Sequence, residues 1–212
     1  MEVAEVVIDH RGSPVRQTRW RTLAVFGHTL TCSMRVLGRA ALGRATPERV
    51  DGIVERWCGH SFRLSATTLT RSGHLGLGAP CVLLSNHHSL LDIPAICASF
   101  PGRVRFVAKA ELRQVPGFGA AMERAGIVFV DRSDRQAAIR ALDEAWERIG
   151  AGTSLWIAAE GGRTDEGPLQ RLKKGPFHVA VAGQVPLVPV WIRGTEAVLP
   201  ARSLRSTTGG GV

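Results

Sequence analysis

A histidine and an aspartate five positions apart follow a short apolar run, and together they could act as a base and its orienting carboxylate. The segment reads Asn86-His87-His88-Ser89-Leu90-Leu91-Asp92. An imidazole titrates near neutral pH, and a carboxylate on one ring nitrogen fixes the tautomer and stabilises the imidazolium formed on taking a proton. Such a pair can deprotonate a hydroxyl. A second interpretation is that Asp92 only caps a helix, and spacing alone does not decide between the two.

The surrounding sequence predicts that this pair lies in a turn from a strand to a helix. Residues 81–85 are apolar and follow Pro80, whereas residues 93–100 are mostly apolar with spacing compatible with a helix. Proline is tolerated only in the first turn of a helix, so Pro94 places the helix start near Asp92. Ligands of open α/β sheets bind at the carboxyl ends of strands, which makes this turn a candidate site.

Three further blocks follow in order, and together with the first they resemble the glycerolipid acyltransferase family over residues 80–199. The resemblance is to the bacterial 1-acylglycerol-3-phosphate acyltransferases in particular. The family's N-H-x-S-x-x-D motif, which contains H-x4-D, is matched by Asn86, His87, Ser89 and Asp92. Its G-x-x-F-I-x-R motif is met by Gly126, Phe129 and Arg132, with Val130 in place of isoleucine. Its V-P-x-x-P block is met by Pro186 and Pro189.

The third motif of the family, F-P-E-G-T-R-S, is altered in this chain. Glu160, Gly161 and Arg163 are kept, but Ala159 and Gly162 replace the proline and the threonine. The change removes a hydroxyl and some stiffness from the loop that carries Arg163. The identity of the acceptor is therefore left open.

The resemblance implies an enzyme of phospholipid biosynthesis that moves a fatty acyl chain from acyl-CoA or acyl-carrier protein to the hydroxyl of a lysophospholipid. The default acceptor is 1-acylglycerol-3-phosphate, which would give phosphatidic acid, and another lyso-lipid is the alternative. His87 and Asp92 would form the general base. The substrate site would contain Lys109, Arg132, Glu160, Gly161 and Arg163, with the three basic residues on the acceptor phosphate. No cofactor is implied.

Two functions from other classes are alternatives to this one. A metal-dependent hydrolase could use His87, His88 and Asp92 as ligands, but no second cluster completes a site of ordinary geometry, so no metal is expected. A non-catalytic module that binds anionic lipid would need the histidine and aspartate to be incidental. His88 is expected to be exposed because it falls on an unspecified position of the motif.

Composition is consistent with a membrane-surface enzyme. Lys and Arg number 27 against 18 Asp and Glu, giving a net charge of +9, which favours anionic membranes, anionic substrates or an acidic carrier protein. Nucleic-acid binding is not expected, since zinc-finger spacing and aromatic RNA-binding signatures are absent from the sequence. The four cysteines form no C-x-x-C and are expected to be reduced and buried. No signal peptide is recognised, and the cytoplasmic face of the cell membrane is the expected location.

The predicted architecture is α/β, with a central mostly parallel or mixed sheet flanked by helices. We expect an N-terminal helical segment at residues 1–60, a catalytic domain at 61–200 and a flexible tail at 201–212. The apolar stretch 23–37 is too polar to span a bilayer and suits either an interfacial position or packing on the domain. A helix is predicted to begin at Pro47 and to end near Gly59. Strands are expected at residues 62–69, 82–85 and 103–107, and a helix is expected after a capping box at residues 133–136.

Overall fold

The computed structural model describes residues 3–9, 19–73, 80–100, 103–131, 133–149, 152–164 and 167–199. Within these residues the strands form one seven-stranded sheet of order β2-β1-β7-β3-β6-β4-β5. The strands are β1 (Ala4–Asp9), β2 (Thr68–Ser72), β3 (Val82–Ser85), β4 (Arg103–Lys109), β5 (Val128–Val130), β6 (Thr153–Ala158) and β7 (Leu187–Arg193). β2 pairs antiparallel with β1, and the other neighbouring pairs are parallel. The predicted fold class is confirmed.

Helices cover both faces of the sheet. They are α1 (Arg19–Ala41), α2 (Pro47–Ser65), α3 (Asp92–Ser99), α4 (Phe118–Arg124), α5 (Arg135–Ile149), α6 (Gly175–Ala182) and α7 (Thr195–Val198), with a short 3-10 helix at Ala110–Gln114. α2 and α3 share a core with one face, whereas α5 and α6 share a core with the other. α1 lies outside them, packed on α2 and α4 through Cys32, Val36 and Ala121.

β3 is the central strand of the sheet, so the turn that follows it lies at the carboxyl ends of the strands, in the middle of the sheet. β3 lies between β6 and β7, with Ser85 opposite both Ala158 and Val190. All four residues of β3 are buried, as expected for a parallel strand covered on both faces. Because parallel strands end at the same edge, the segments that follow β3, β4 and β6 meet there.

The strand Ala4–Asp9 is a feature that the sequence analysis missed, because the region was expected to be helical. Its side chains alternate between buried and half-buried, with Ala4, Val6 and Ile8 in the core. This period of two is that of a half-covered strand. β1 therefore belongs to the sheet itself. The predicted tail at 201–212 lies outside the described residues, and the predicted domain limits stay a prediction.

The predicted end of α2 and the start of β2 were also wrong. α2 continues past Gly59 to Ser65, and the strand begins at Thr68. Phe62 packs into the core from the last turns of α2, and this packing stabilises the extension of the helix. Ala66, in the left-handed conformation with a φ of 53°, then ends α2. At α5 the cap is Asp134, whose Oδ1 accepts from the amides of Gln136 and Ala137, rather than Ser133.

Candidate active site

His87 and Asp92 form a hydrogen-bonded pair in the turn between β3 and α3. His87 Nδ1 lies 2.8 Å from Asp92 Oδ2. Asp92 is the first residue of α3, as the position of Pro94 predicts. The aspartate side chain is only 1% exposed and the histidine side chain 11% exposed, so the carboxylate is sealed in and one part of the imidazole reaches solvent.

The partners of Asp92 determine which ring nitrogen of His87 can act as a base. Asp92 Oδ2 also accepts from the backbone amides of His88 and Ser89, both at 2.8 Å. A carboxylate with these donors acts only as an acceptor, so the imidazole proton lies on Nδ1. Nε2 of His87 is then left with a free electron pair. The arrangement can therefore take a proton at Nε2 and stabilise the resulting imidazolium through Asp92.

Trp156 of β6 holds the other side of the imidazole. The two rings are edge-to-face, with centroids 5.3 Å apart and planes at 84°. Trp156 Nε1 donates to Ser85 Oγ at 2.8 Å, and Ser85 Oγ in turn donates to the carbonyl of Asn86 at 2.7 Å. Trp156 and Ser85 are both buried. The indole is thus fixed by the residue that precedes the turn carrying His87, and the imidazole packs against it.

Asn86 ties the start of the turn to β7. Its Nδ2 donates to the carbonyl of Ile192, and its Oδ1 accepts from the amide of Ile192, both at 2.8 Å. The side-chain amide thus takes the place of a strand neighbour and satisfies both backbone groups of Ile192. These two bonds fix Asn86, the first residue of the motif, against β7.

The loop after β6 is bonded directly to the turn. The amide of Thr164 donates to the carbonyl of His87 at 2.9 Å. His88 Nδ1 lies 3.1 Å from the carbonyl oxygen of Thr164. The expectation that His88 is exposed is therefore wrong, because this bond to Thr164 holds the side chain in a buried position. His88 joins the first and third motifs rather than facing solvent.

Glu160 orders that loop from within. Its buried carboxylate accepts from Thr164 Oγ1 at 2.9 Å and from the amide of Gln170 at 2.8 Å. The sequence leaves two roles open for Glu160, a hydrogen bond to the acceptor glycerol or ordering of the loop, and these contacts favour the second. A threonine hydroxyl is thus present in the third motif at Thr164, although Gly162 lacks one.

Gly161 is required by the backbone. Its φ is +81°, and a Cβ at this position would lie 3.0 Å from Lys173 Cγ. Its amide donates to the carbonyl of Ala158 at 3.0 Å. The residue type is thus explained by a tight turn, and its predicted contact with substrate stays a prediction.

Two of the predicted phosphate ligands, Lys109 and Arg163, follow parallel strands at the end of the sheet where the turn after β3 lies. Lys109 is the last residue of β4, and its side chain is half exposed with Glu111 at 3.9 Å. Arg163 is exposed in the loop after β6. Arg132 lies outside the described residues. An exposed cation at a strand end is suited to meeting an incoming phosphate.

The cysteines are free thiols, and Cys32, Cys58 and Cys81 are buried. Cys81 is the cysteine closest in sequence to the turn that carries His87, but its Sγ donates to Ser154 Oγ at 3.5 Å at the opposite end of β3. Burial raises the pKa of the Cys81 thiol, and the hydrogen bond with Ser154 lowers it to a lesser extent. A thiol held in its neutral form is a poor nucleophile, which speaks against an acyl-cysteine route.

Within the described ranges, no group of three or more His, Cys, Asp or Glu side chains is arranged to hold a metal ion. Oδ2 of the buried Asp92 carboxylate accepts from the imidazole and from two backbone amides. His87 and Asp92 thus act as partners of each other.

Known proteins are similar to this chain over about half of its length. The family model described as Acyltransferase matches residues 65–193. The human 1-acyl-sn-glycerol-3-phosphate acyltransferase beta is 38% identical over 112 residues, which cover 52% of this chain and 40% of the human protein. The 1-acyl-sn-glycerol-3-phosphate acyltransferase of Saccharomyces cerevisiae is 37% identical over 123 residues, which cover 57% of this chain and 41% of the yeast protein. The chain thus spans about two-fifths of the length of these relatives.

A solved structure shares the fold. The 1-acyl-sn-glycerophosphate (LPA) acyltransferase of Thermotoga maritima superposes with a TM-score of 0.63 and 24% sequence identity, covering 89% of this chain and 81% of that chain. At this identity the likeness shows the architecture alone.

Proposed function

Because this chain belongs to the acyltransferase family, we propose that it transfers a fatty acyl chain from a thioester to the hydroxyl of a lysophospholipid. The carrying observation is the buried His87–Asp92 pair, whose Nδ1–Oδ2 bond of 2.8 Å leaves Nε2 as the base. The names of the matched relatives favour 1-acylglycerol-3-phosphate as the acceptor and phosphatidic acid as the product.

The reaction needs no covalent intermediate on the protein, because a thioester is already activated. As the acceptor oxygen attacks the thioester carbonyl, Nε2 of His87 takes the hydroxyl proton. Asp92 stabilises the imidazolium. When the carbon–sulfur bond breaks, the imidazolium gives the proton to the departing thiolate. An ester and a free thiol result, and His87 returns to its starting state.

The acceptor phosphate would be held by Arg163 and Lys109, together with Arg132. Guanidinium groups bind phosphate bidentately, and an ammonium adds a point charge. Glu160 supports this site indirectly, since its bonds to Thr164 and Gln170 shape the loop on which Arg163 lies. The donor is proposed to be acyl-CoA or acyl-carrier protein.

We further propose that the protein works at a membrane surface, on its cytoplasmic face. α1 carries exposed apolar side chains three or four positions apart, among them Trp20, Leu23, Leu30 and Met34, with Trp20 76% exposed. An apolar stripe on an amphipathic helix suits insertion into the interfacial layer of a bilayer. No helix among the described residues is long and apolar enough to cross a membrane.

The altered third motif favours testing a second acceptor class. A competition assay presents 1-acylglycerol-3-phosphate together with neutral and zwitterionic lyso-lipids in mixed micelles, with a long-chain acyl thioester as donor. Products are identified by mass spectrometry. Phosphatidic acid as the main product supports the proposal, whereas another diacyl lipid in its place transfers the assignment to that acceptor. Absence of all diacyl products would overturn the acyltransferase proposal.

A further inference from the structure

A groove of about 960 Å³ between α1 and α2 is lined by five arginines. They are Arg35, Arg39, Arg44, Arg49 and Arg56. Arg35 and Arg39 are one turn apart on α1, and Arg49 and Arg56 are two turns apart on α2, so each pair lies on one face of its helix. Gly38 and Gly52 also line the groove and leave space between the helices because they carry no side chain.

The positive charge of this groove is not neutralised by the described part of the chain. In the part of the chain that the structure describes, Glu48 is the one acidic residue that lines the groove, and it pairs with Arg103 at 2.9 Å. Among the described residues, none of the five arginines forms an ion pair with a carboxylate. Arg49 donates to the backbone carbonyl of Arg44 at 3.3 Å, which orients it without offsetting its charge. Like charges gathered in one groove favour a bound anion.

The groove lies away from the catalytic turn. Glu48 contacts Arg103 at the first residue of β4, whereas the catalytic turn lies at the edge where the parallel strands end. A strand of the length of β4 spans about 20 Å. The groove therefore lies toward the amino-terminal ends of the parallel strands, and the catalytic turn lies at their carboxyl ends. An anion bound there is separate from the acceptor phosphate near His87.

The neighbours of the groove indicate the kind of anion. Leu42 lines it and is 68% exposed, and Met34, beside Arg35, is 57% exposed. Basic side chains next to exposed apolar ones match the boundary between phosphate head groups and acyl chains. A soluble phosphate would leave Leu42 and Met34 in water.

We propose that the α1–α2 groove binds the phosphate head group of an anionic membrane phospholipid, with Leu42 and Met34 against its acyl chains. The arginine forks bind the phosphate, and the lipid holds α1 at the surface. This inference rests on the membrane association proposed above and adds a specific lipid site to it. It assigns the groove a role in docking rather than in acyl transfer.

The test measures binding of the full chain to phosphatidylcholine vesicles with and without phosphatidic acid, by co-sedimentation. Arg39→Glu and Arg56→Glu alter the groove. Arg63→Glu is the matched control, because it makes the same charge change on an exposed part of α2 outside the groove. Circular dichroism verifies that each variant is folded, and Arg39→Lys retains the charge without the planar fork.

The groove variants are expected to lose about tenfold or more of their partitioning to phosphatidic acid vesicles. Arg63→Glu is expected to lose clearly less, and Arg39→Lys an intermediate amount. Equal losses of vesicle binding in Arg56→Glu and Arg63→Glu would show that only the net charge of the protein matters, and would overturn the proposal. Titration of the protein with inorganic phosphate at constant ionic strength, without vesicles, separates lipid from free phosphate as the ligand. Phosphate binding that is much weaker than vesicle binding supports the lipid, whereas phosphate binding that is as tight as vesicle binding and is lost in Arg39→Glu and Arg56→Glu overturns it.

The same measurement in His87→Ala separates this proposal from the proposed reaction. Vesicle binding needs no turnover, so its dependence on Arg39 and Arg56 should persist in the His87→Ala background. Loss of groove-dependent binding there would contradict a site remote from His87. Failure of the acyl-transfer assay with groove-dependent binding intact would leave the lipid site standing.

Discussion

The imidazole of His87 lies edge-on to the indole of Trp156, with 5.3 Å between the ring centroids and 84° between the ring planes. Asp92 holds one nitrogen of the same imidazole, so the ring is fixed from two directions. The indole is itself fixed by its bond to Ser85. The orientation of Nε2 therefore depends on Trp156 as well as on Asp92.

Replacing Trp156 with phenylalanine should lower kcat with little change in the acceptor KM. The smaller ring loses the bond to Ser85 and leaves space beside His87, and a misplaced reacting group costs roughly 10- to 100-fold in rate. Steady-state kinetics over a range of pH measure the effect. Phe106→Leu is the control, because the ring of Phe106 also packs on Trp156, with 6.4 Å between the ring centroids, and its replacement disturbs the core while leaving the indole in place. An equal loss of kcat in both variants would reduce the role of Trp156 to core packing.

Replacing Asp92 with asparagine should lower kcat by roughly 10²- to 10³-fold, because the neutral amide oxygen at the Oδ2 position still accepts the Nδ1 proton but no longer stabilises the imidazolium with a negative charge. The folded protein should also lose about 1–3 kcal/mol of unfolding free energy, since a buried donor is left unpaired. Asp92 Oδ1, where the new amide nitrogen would lie, has no hydrogen-bond partner among the described residues. Kinetics and urea unfolding check the two effects. Activity close to that of the parent would show that His87 does not need its carboxylate.

Replacing Arg163 with alanine should raise the KM for 1-acylglycerol-3-phosphate by about tenfold or more, since a charge-assisted bond to phosphate contributes roughly 1.5–3 kcal/mol. Initial rates with varied acceptor measure this. Arg171→Ala is the control, because Arg171 is an exposed arginine of the same loop region. Unchanged kinetic constants in Arg163→Ala would remove Arg163 from the phosphate site.

Local sequence was sufficient for the dyad and for the start of α3. His87 and Asp92 are separated by less than two helical turns, and Pro94 marks the beginning of the helix without reference to the rest of the fold. An apolar run likewise predicted β3, and the alternation of residues 103–107 predicted β4. Features that depend only on residues close together in the chain could therefore be predicted from the sequence.

Contacts between distant segments could not be predicted in this way. Trp156 meets Ser85 across 71 residues, and Asn86 meets Ile192 across 106. These pairs depend on the strand order, which places β6 and β7 on either side of β3. Trp156 and Ser85 fall on the same face of adjacent strands, but only the pairing of β3 with β6 makes this visible. The burial of His88 was missed for the same reason, since it depends on Thr164.

The most direct test of the account is acyl transfer from a long-chain thioester to 1-acylglycerol-3-phosphate in mixed micelles, with His87→Ala beside the parent. The parent should form phosphatidic acid, and the variant should be slower by roughly 10²- to 10⁴-fold while remaining folded, because the general base is lost. Equal rates in the two proteins would contradict the assignment of His87 as the base.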